Sequence, residues 1–498
     1  MSGNSQTAYR HILKATSIFG GVQVFNILVS IIRSKIIAVL IGPAGMGIAG
    51  LLNATLNLIG GFSNLGLETS AVKDISIAKT QGPEKVARII KVFSTLLFWA
   101  GILGAGITIL LSPWLSQLSF GNYEYIFSFI LVAIALFFRQ LSVRNTTILQ
   151  GLQNHKYFAK SSLYGNAIGL LLIVPLYYFW KTEAIAPVII ATYLIMYLVT
   201  AFFVKKLQIK KVSLASGEIV QEGKSMLQLG FMLSLNSIYI LIAGYILQIF
   251  ISNTGSVSEV GLFNAGFVII NTYVGLIFNA MGTDYYPKLA AISSDLQKIN
   301  VFVNQQIYVA VLLITPVIIA FIIVMPYMII ALYSAKFLPI IAMVKWGIVG
   351  MLFKAVSWSL GYIMIVKDDS RMFIKTALFF NSLSILLNLL GYYYYGLEGL
   401  GISSLLYYII HLVVIIAITR KRYNVYFENA FNKVFLLSSI MCILVFLLSD
   451  LDNLLLRYGL QVFLFLLASL YSVYQLDKKM DIRGVVNRFL KQKKDGHL

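Results

Sequence analysis

The chain has 498 residues, of which 59% are hydrophobic and only 12% charged, and its mean hydropathy is +0.84. A water-soluble chain of this length needs far more surface charge, so composition excludes a soluble globular protein. The formal net charge of +20 would point to nucleic acid in a soluble chain, but here the placement of the charges argues otherwise.

A helical span needs ~20 mostly apolar residues to cross ~30 Å of hydrocarbon. Arg10, His11 and Lys14 precede the first such run, which is read as a retained helix rather than a cleaved signal. Spans are expected at 17–41, 44–66, 91–111, 125–150, 160–180 and 185–204. The polar connection 205–225 (KKLQIKKVSLASGEIVQEGKS), midway along the chain, reads as a linker between two six-helix halves. The second half is expected at 226–251, 260–283, 301–325, 337–366, 372–392 and 397–419, followed by a further pair at 433–449 and 454–476. The runs are long and non-alternating, and backbone in lipid must satisfy itself, so helices are expected rather than barrel strands. The fold class is therefore all-α, a polytopic membrane protein of about fourteen transmembrane helices. Its segments are 1–204 (first lobe), 205–225 (linker), 226–425 (second lobe), 426–476 (extra pair) and 477–498 (tail). In the tail, Ile482, Val485, Val486, Phe489 and Leu490 recur at helical spacing among basic residues, which predicts an amphipathic helix on the membrane surface.

With the N-terminus inside, 30 of the 39 Lys and Arg fall in inside segments and three, Lys181, Lys336 and Arg457, fall outside. That bias places both termini in the cytoplasm. The net charge then reads as topology plus attraction to anionic membrane lipid, with no nucleic-acid partner. At an offset of 214, Gly47, Gly61 and Thr69 fall on Gly261, Gly275 and Thr283, a weak parallel repeat.

The remaining six cations, Arg33, Lys35, Arg139, Arg144, Lys345 and Lys354, lie inside expected spans. At a helix centre each costs ~2.5–3.5 kcal/mol, so six facing lipid would cost roughly 15–21 kcal/mol. Lys345, Arg144 and Lys35 lie close enough to span ends to snorkel. Arg139, Lys354 and Arg33 sit deeper and are expected to line an interior cavity or to pair with a carbonyl or acid of a neighbouring helix. Acids are scarce in the spans. Glu68, Asp74 and Asp284 at inner span ends are candidates for ion coupling, or else solvated partners of Lys73 and Lys288. A cavity with cations and few acids favours an anionic substrate.

Several motifs carry no chemistry here. Gly45-Met46-Gly47-Ile48-Ala49-Gly50 matches GxGxxG, but a membrane span precedes it where a strand is required, so its glycines are read as a turn and close packing. Asp450-Leu451-Asp452 sits in a short outer turn with no attached catalytic domain. The single cysteine, Cys442, excludes an intrachain disulfide, and the four histidines form no HExxH pair. No cofactor and no metal site is expected.

The run Lys35-Ile-Ile-Ala38-Val-Leu-Ile-Gly42-Pro43-Ala-Gly45-Met-Gly47-Ile-Ala-Gly50 resembles the first-to-second helix signature of Wzx-type O-antigen translocases. Glu259-Val260-Gly261 with Asp284-Tyr285-Tyr286-Pro287-Lys288-Leu289 resembles the matching part of the second half. Ser334-Ala-Lys336-Phe337, Trp346, Gly350, Lys354, Gly361-Tyr362 and Lys367 resemble the tenth-helix region, most closely that of enterobacterial common antigen lipid flippases. The resemblance implies the multidrug/oligosaccharidyl-lipid/polysaccharide exporter fold: two six-helix lobes around a central cavity that opens alternately to each side. It implies an undecaprenyl-pyrophosphate oligosaccharide as substrate, in a bacterial inner membrane, with a cationic lumen for the anionic head; that agrees with the charge reading, in which Arg33, Lys35, Arg139 and Lys354 are the expected substrate-binding cations. A polysaccharide polymerase is a further expected partner. The last helix pair departs from the twelve helices common in these translocases; related peptidoglycan-precursor flippases have fourteen. The rivals are a multidrug exporter of the same fold, which would carry acids in its first lobe, and a polyprenyl-dependent glycosyltransferase or polymerase, which would carry a sizeable outer loop with catalytic residues. Near 112–124 the longest outer loop holds only Glu124 as a charge, which disfavours the enzyme.

Overall fold

In a computed structural model the chain is all-helical, with no strand among the described residues. Residues 3–480 are described, with side chains over 25–479 apart from Tyr273, Leu276, Asn279, Ala280 and Thr283. The tail helix expected over 482–490 lies outside the described residues.

Fifteen helices follow in order among the described residues: α1 (Gly3–Asn64), α2 (Leu67–Gln81), α3 (Pro83–Leu110), α4 (Ser112–Phe120), α5 (Ile126–Gly151), α6 (His155–Trp180), α7 (Ile185–Lys205), α8 (Ser216–Thr254), α9 (Val257–Val268), α10 (Leu276–Ala291), α11 (Leu296–Leu332), α12 (Ile341–Val366), α13 (Ser370–Tyr423), α14 (Asn429–Leu448) and α15 (Leu454–Met480). Ten segments are long and apolar enough to cross a membrane. Three of them hold two crossings each. The segment Phe25–Asn64 breaks at Gly42, His155–Lys205 turns at Lys181–Ala184, and Ser370–Tyr423 breaks at Gly396. In α13 the Ser403 hydroxyl donates to the Leu387 carbonyl at 2.6 Å, so its two halves lie side by side. With the α9–α10 segment, whose apolar stretch is Val257–Thr272, the crossings reach the fourteen expected. The α1 break has a local cause. Pro43 disfavours helical geometry at the residue before it, and Gly42 takes φ 63°, a value a Cβ would strain.

The helices group into two compact units. One runs to Asn264 and adds Ala331–Phe337; the other holds Ala265–Ile330 and the chain from Leu338 onward. In the first unit, Phe129, Val132 and Leu136 of α5 are fully buried among Leu52 and Leu56 of α1 and Ile185 and Ile189 of α7. A second cluster contains α2. No span is expected between 66 and 91, yet Leu67, Ala71, Ile75 and Ala78 recur on one helical face and are buried against Phe93 and Leu97 of α3 and Ile148 of α5. Mean hydropathy over this stretch is too low for a span, which hides its amphipathic face. The first unit also contains α8, which follows the expected linker. Arg88 of α3 bonds Glu218 at 2.7 Å and Glu222 at 2.5 Å, and Tyr245 shares a 2.9 Å hydrogen bond with Ser119 of α4. Near the start of α9, a Cβ added at Gly261 would lie 2.0 Å from the Pro43 carbonyl oxygen and 2.8 Å from the Gly47 nitrogen. The backbones therefore meet there with no room for a side chain.

In the second unit α12 is the innermost helix: 67% of its apolar window is buried, against 11% for the window in α15. Tyr285 of α10 is fully buried and donates to the Ser359 carbonyl of α12 at 3.0 Å. The Tyr308 hydroxyl of α11 reaches Gln475 of α15 at 2.9 Å. The outer apolar side chains of α15, such as Leu455 at 88% exposure, have the character of a lipid-facing surface.

Candidate functional site

The first unit contains two deep cations. Asn26 and Arg33 of α1 are seven residues apart and share a face; Ser162, Asn166 and Gly169 share the facing side of α6. Asn26 donates to Ser162 at 3.0 Å and accepts from Asn166 at 2.9 Å. Two turns further along, the Arg33 guanidinium lies 3.5 Å from where a Gly169 Cβ would stand. Its Nε is shielded from solvent and has no hydrogen-bond partner, and the Tyr177 and Tyr193 phenols are its electrostatic neighbours. A polar seam thus runs between α1 and α6 inside an apolar unit. Lys35 is half-buried and, two residues on, points to another face of α1, outside that seam.

Arg139 lies elsewhere, on α5 against the second half of α1. A Cβ at Gly60 would come within 2.4 Å of its Nη1, an atom that is shielded and has no hydrogen-bond partner. The neighbouring Gln140 is fully buried and donates to the Gly60 carbonyl at 3.0 Å and to Ser63 at 3.1 Å. This clamp fixes the height of α5 on α1, and with it the height of Arg139. Arg144, one turn on, bonds Asn145 at 3.1 and 3.0 Å, and Asn145 donates to Thr200 of α7 at 3.2 Å.

The second unit contains Lys354 on α12. Its ammonium lies 5.3 Å from the ring centroids of both Phe278 of α10 and Tyr408 of α13. Cation–π contact of this kind holds a desolvated ammonium without neutralising it. On the next turns, Ser357 and Trp358 line a cavity of about 310 Å³ together with Tyr362, Asn381, Tyr407 and His411. The His411 ring packs on Phe380 at 4.3 Å and on Tyr407 at 5.8 Å, and its Nδ1 is shielded with no hydrogen-bond partner. This aromatic enclosure can stack on a sugar or hold an anion.

Among the described residues, none of the ion pairs includes Arg33, Arg139 or Lys354. The candidate coupling acids are placed differently. Glu68 is exposed in the first turn of α2. Asp74 is half-buried on the same helix; burial raises its carboxyl pKa and Lys73 partly offsets this. Asp284 is exposed and paired with Lys288 at 2.6 Å. The Lys345 ammonium bonds Asp450 at 2.7 Å, its side chain is only 11% exposed, and it lies 4.7 Å from the Phe446 ring centroid. The neighbouring Trp346 ring lies tilted against Phe446, 4.4 Å between centroids, and donates to Glu398 at 2.9 Å. Sequence reasoning missed the Asn26–Asn166 seam and the His411 enclosure. The spacings Asn26/Arg33 and Tyr407/His411 were the available signals.

The sequence matches, over residues 36–342, the family described as polysaccharide biosynthesis protein. The fold is similar to that of the lipid II flippase MurJ in an inward closed conformation, at 15% identity and a TM-score of 0.66, covering 93% of this chain and 99% of that one. It is similar to an inward-facing multidrug resistance MATE family transporter of the MOP superfamily, at 16% identity and a TM-score of 0.67, covering 82% and 96%. A MATE structure in complex with MaD3S matches at 16% identity and a TM-score of 0.56, covering 84% and 97%. No curated protein matches the sequence.

Proposed function

Because the chain belongs to the polysaccharide biosynthesis protein family, we propose that it flips an undecaprenyl-pyrophosphate-linked oligosaccharide, of the O-antigen class, from the cytoplasmic to the periplasmic leaflet by alternating access. The observation that carries this reading is the set of deep cations, Arg33, Arg139 and Lys354, that lie in apolar helices without an acid partner among the described residues. Burying a cation unpaired is costly, and an anionic ligand that visits it recovers that cost. A carrier of organic cations would gain nothing from such residues. The fold is shared by a lipid II flippase and by multidrug transporters, and the charge of these side chains favours the flippase reading.

In this mechanism the diphosphate head meets the cations while the polyprenyl chain stays in lipid. The 1–204 and 226–425 lobes expose the head first to one side and then to the other. With an inside-negative potential, each exported negative charge gains ~2.3 kcal/mol per 100 mV, so a dianionic head gains roughly 4–5 kcal/mol. On that arithmetic the potential is sufficient to drive export, and an ion coupled at Glu68, Asp74 or Asp284 is not required. The chain then works in the bacterial inner membrane with both termini in the cytoplasm, beside a polymerase that consumes the exported unit.

The test is the amount of lipid-linked oligosaccharide in the inner leaflet of cells lacking the protein, complemented by wild type or by charge-deleted forms. Clearance by wild type and not by Arg139→Ala or Lys354→Ala, at equal protein level, supports the reading. Drug sensitivity without any accumulated intermediate replaces it with the multidrug one.

A further inference from the structure

In the first unit a cavity of about 630 Å³ opens beside the start of α3 and the ends of α5 and α7. Five cations line it, Lys91, Arg144, Lys205, Lys210 and Lys211, and no acid does. Its floor is apolar: Ala87, Ile90 and Ile148 are buried there. The wall is built by a chain reversal. After α7, the Leu207 N–H bonds the Val204 carbonyl at 3.0 Å and Gln208 takes φ 48°. This returns the chain across α3, where Lys210 meets Glu84 at 2.5 Å. Arg144 is half-buried and held by Asn145, whereas Lys91, Lys205 and Lys211 are exposed at the rim.

A basic rim over an apolar floor suits an amphiphile better than a free anion, which could use the rim alone. Basic pockets between helices at a membrane surface take lipid phosphate. We propose that this cavity holds the phosphate or diphosphate headgroup of a membrane lipid, at a site separate from Arg33, Arg139 and Lys354. The site does not depend on what the chain transports. Two lipids carry the same chemistry, a resident anionic phospholipid and a polyprenyl diphosphate carrier, and the experiment separates them.

The full chain in detergent is titrated by native mass spectrometry with phosphatidic acid and, separately, with farnesyl diphosphate. The variant Lys91→Gln/Lys205→Gln/Lys211→Gln spares the Lys210–Glu84 pair. A control neutralises Lys156, Lys160 and Lys375 to Gln. The triple variant is expected to bind roughly a hundredfold more weakly, taking about one surface-cation contribution per lysine, while the control binds as wild type. A loss confined to phosphatidic acid assigns the cavity to a resident phospholipid. A loss for farnesyl diphosphate assigns it to a carrier lipid. Unchanged affinities for both probes, or an equal loss in the control, overturn the proposal. So does inorganic pyrophosphate displacing either probe as well as the probe displaces itself, because the floor would then contribute nothing. If the triple variant misfolds, Lys205→Glu is read by the same titration against the same outcomes.

Discussion

Lys345 and Asp450 form a 2.7 Å ion pair across 105 residues of sequence, and it ties α12 to the turn between α14 and α15. The lysine is nearly buried and the aspartate is 67% exposed. Removing the acid therefore leaves a desolvated ammonium with only the Phe446 ring for company.

The Asp450→Asn variant is expected to lose about 1–2 kcal/mol of stability. This is less than the ~3–5 kcal/mol for breaking a fully buried pair, because solvent screens the aspartate side. The lost stability should return largely in the double variant Lys345→Met/Asp450→Asn. A double-mutant cycle on detergent-solubilised protein, followed by thermal unfolding, measures it. Losses of the two single variants that simply add in the double variant would mean the pair has no energetic coupling.

Replacing Lys354 by Met keeps the volume and the aromatic contacts with Phe278 and Tyr408 but removes the charge. A charged hydrogen bond to a ligand is worth about 1.5–3 kcal/mol, so flipping of lipid-linked oligosaccharide should slow by roughly 10- to 150-fold. Lys354→Arg should retain part of the rate. Proteoliposomes with a labelled lipid-linked oligosaccharide give the rate directly, and a Met variant at wild-type speed removes Lys354 from the site.

Asp369 caps α13, accepting from the Met372 N–H at 3.3 Å, and is bonded by Arg422 and by the Tyr423 hydroxyl. The Arg422 guanidinium foremost, then Tyr423, holds its carboxyl below the usual carboxylate range. A depressed carboxyl contributes its full stability above the ordinary value near ~4, and loses it as pH falls through the folded value. Thermal midpoints measured below pH ~4 should therefore fall more steeply for wild type than for Asp369→Asn. Parallel acid limbs would show that the cap does not contribute in this way.

Gly261→Ala should be poorly tolerated, because its methyl group would stand 2.0 Å from a backbone oxygen that can move only with its helix. Overpacking of this kind costs about 1–3 kcal/mol. Gly106→Ala is the control, since nothing lies within 4 Å of the added carbon there. Fluorescence-detected size exclusion of the two variants reports the difference, and equal yields of folded protein would show that the backbones can separate at no cost.

The number of crossings was legible in the sequence, because hydropathy measures burial in lipid directly, and the cations stood out as charges in apolar runs. The partners of those cations were not legible. Lys345 finds Asp450 and Arg139 meets Gly60 through packing between segments 105 and 79 residues apart, which no local pattern encodes. The helix α2 was missed for a different reason. Its apolar face is only four residues, Leu67, Ala71, Ile75 and Ala78, spread through a polar stretch, so a span-length window averages it away. His411 was visible as a letter, but its shielded nitrogen depends on Phe380 and Tyr407 closing over it.

Gly47 and Gly261 are counterparts in the offset-214 register, and they touch. A position that packs on its own counterpart is subject to an unusual steric arithmetic. Room taken by an atom added at one glycine is room lost to the other, in a gap that already excludes one methyl group. A larger side chain on either side is admissible only where the opposite backbone gives way.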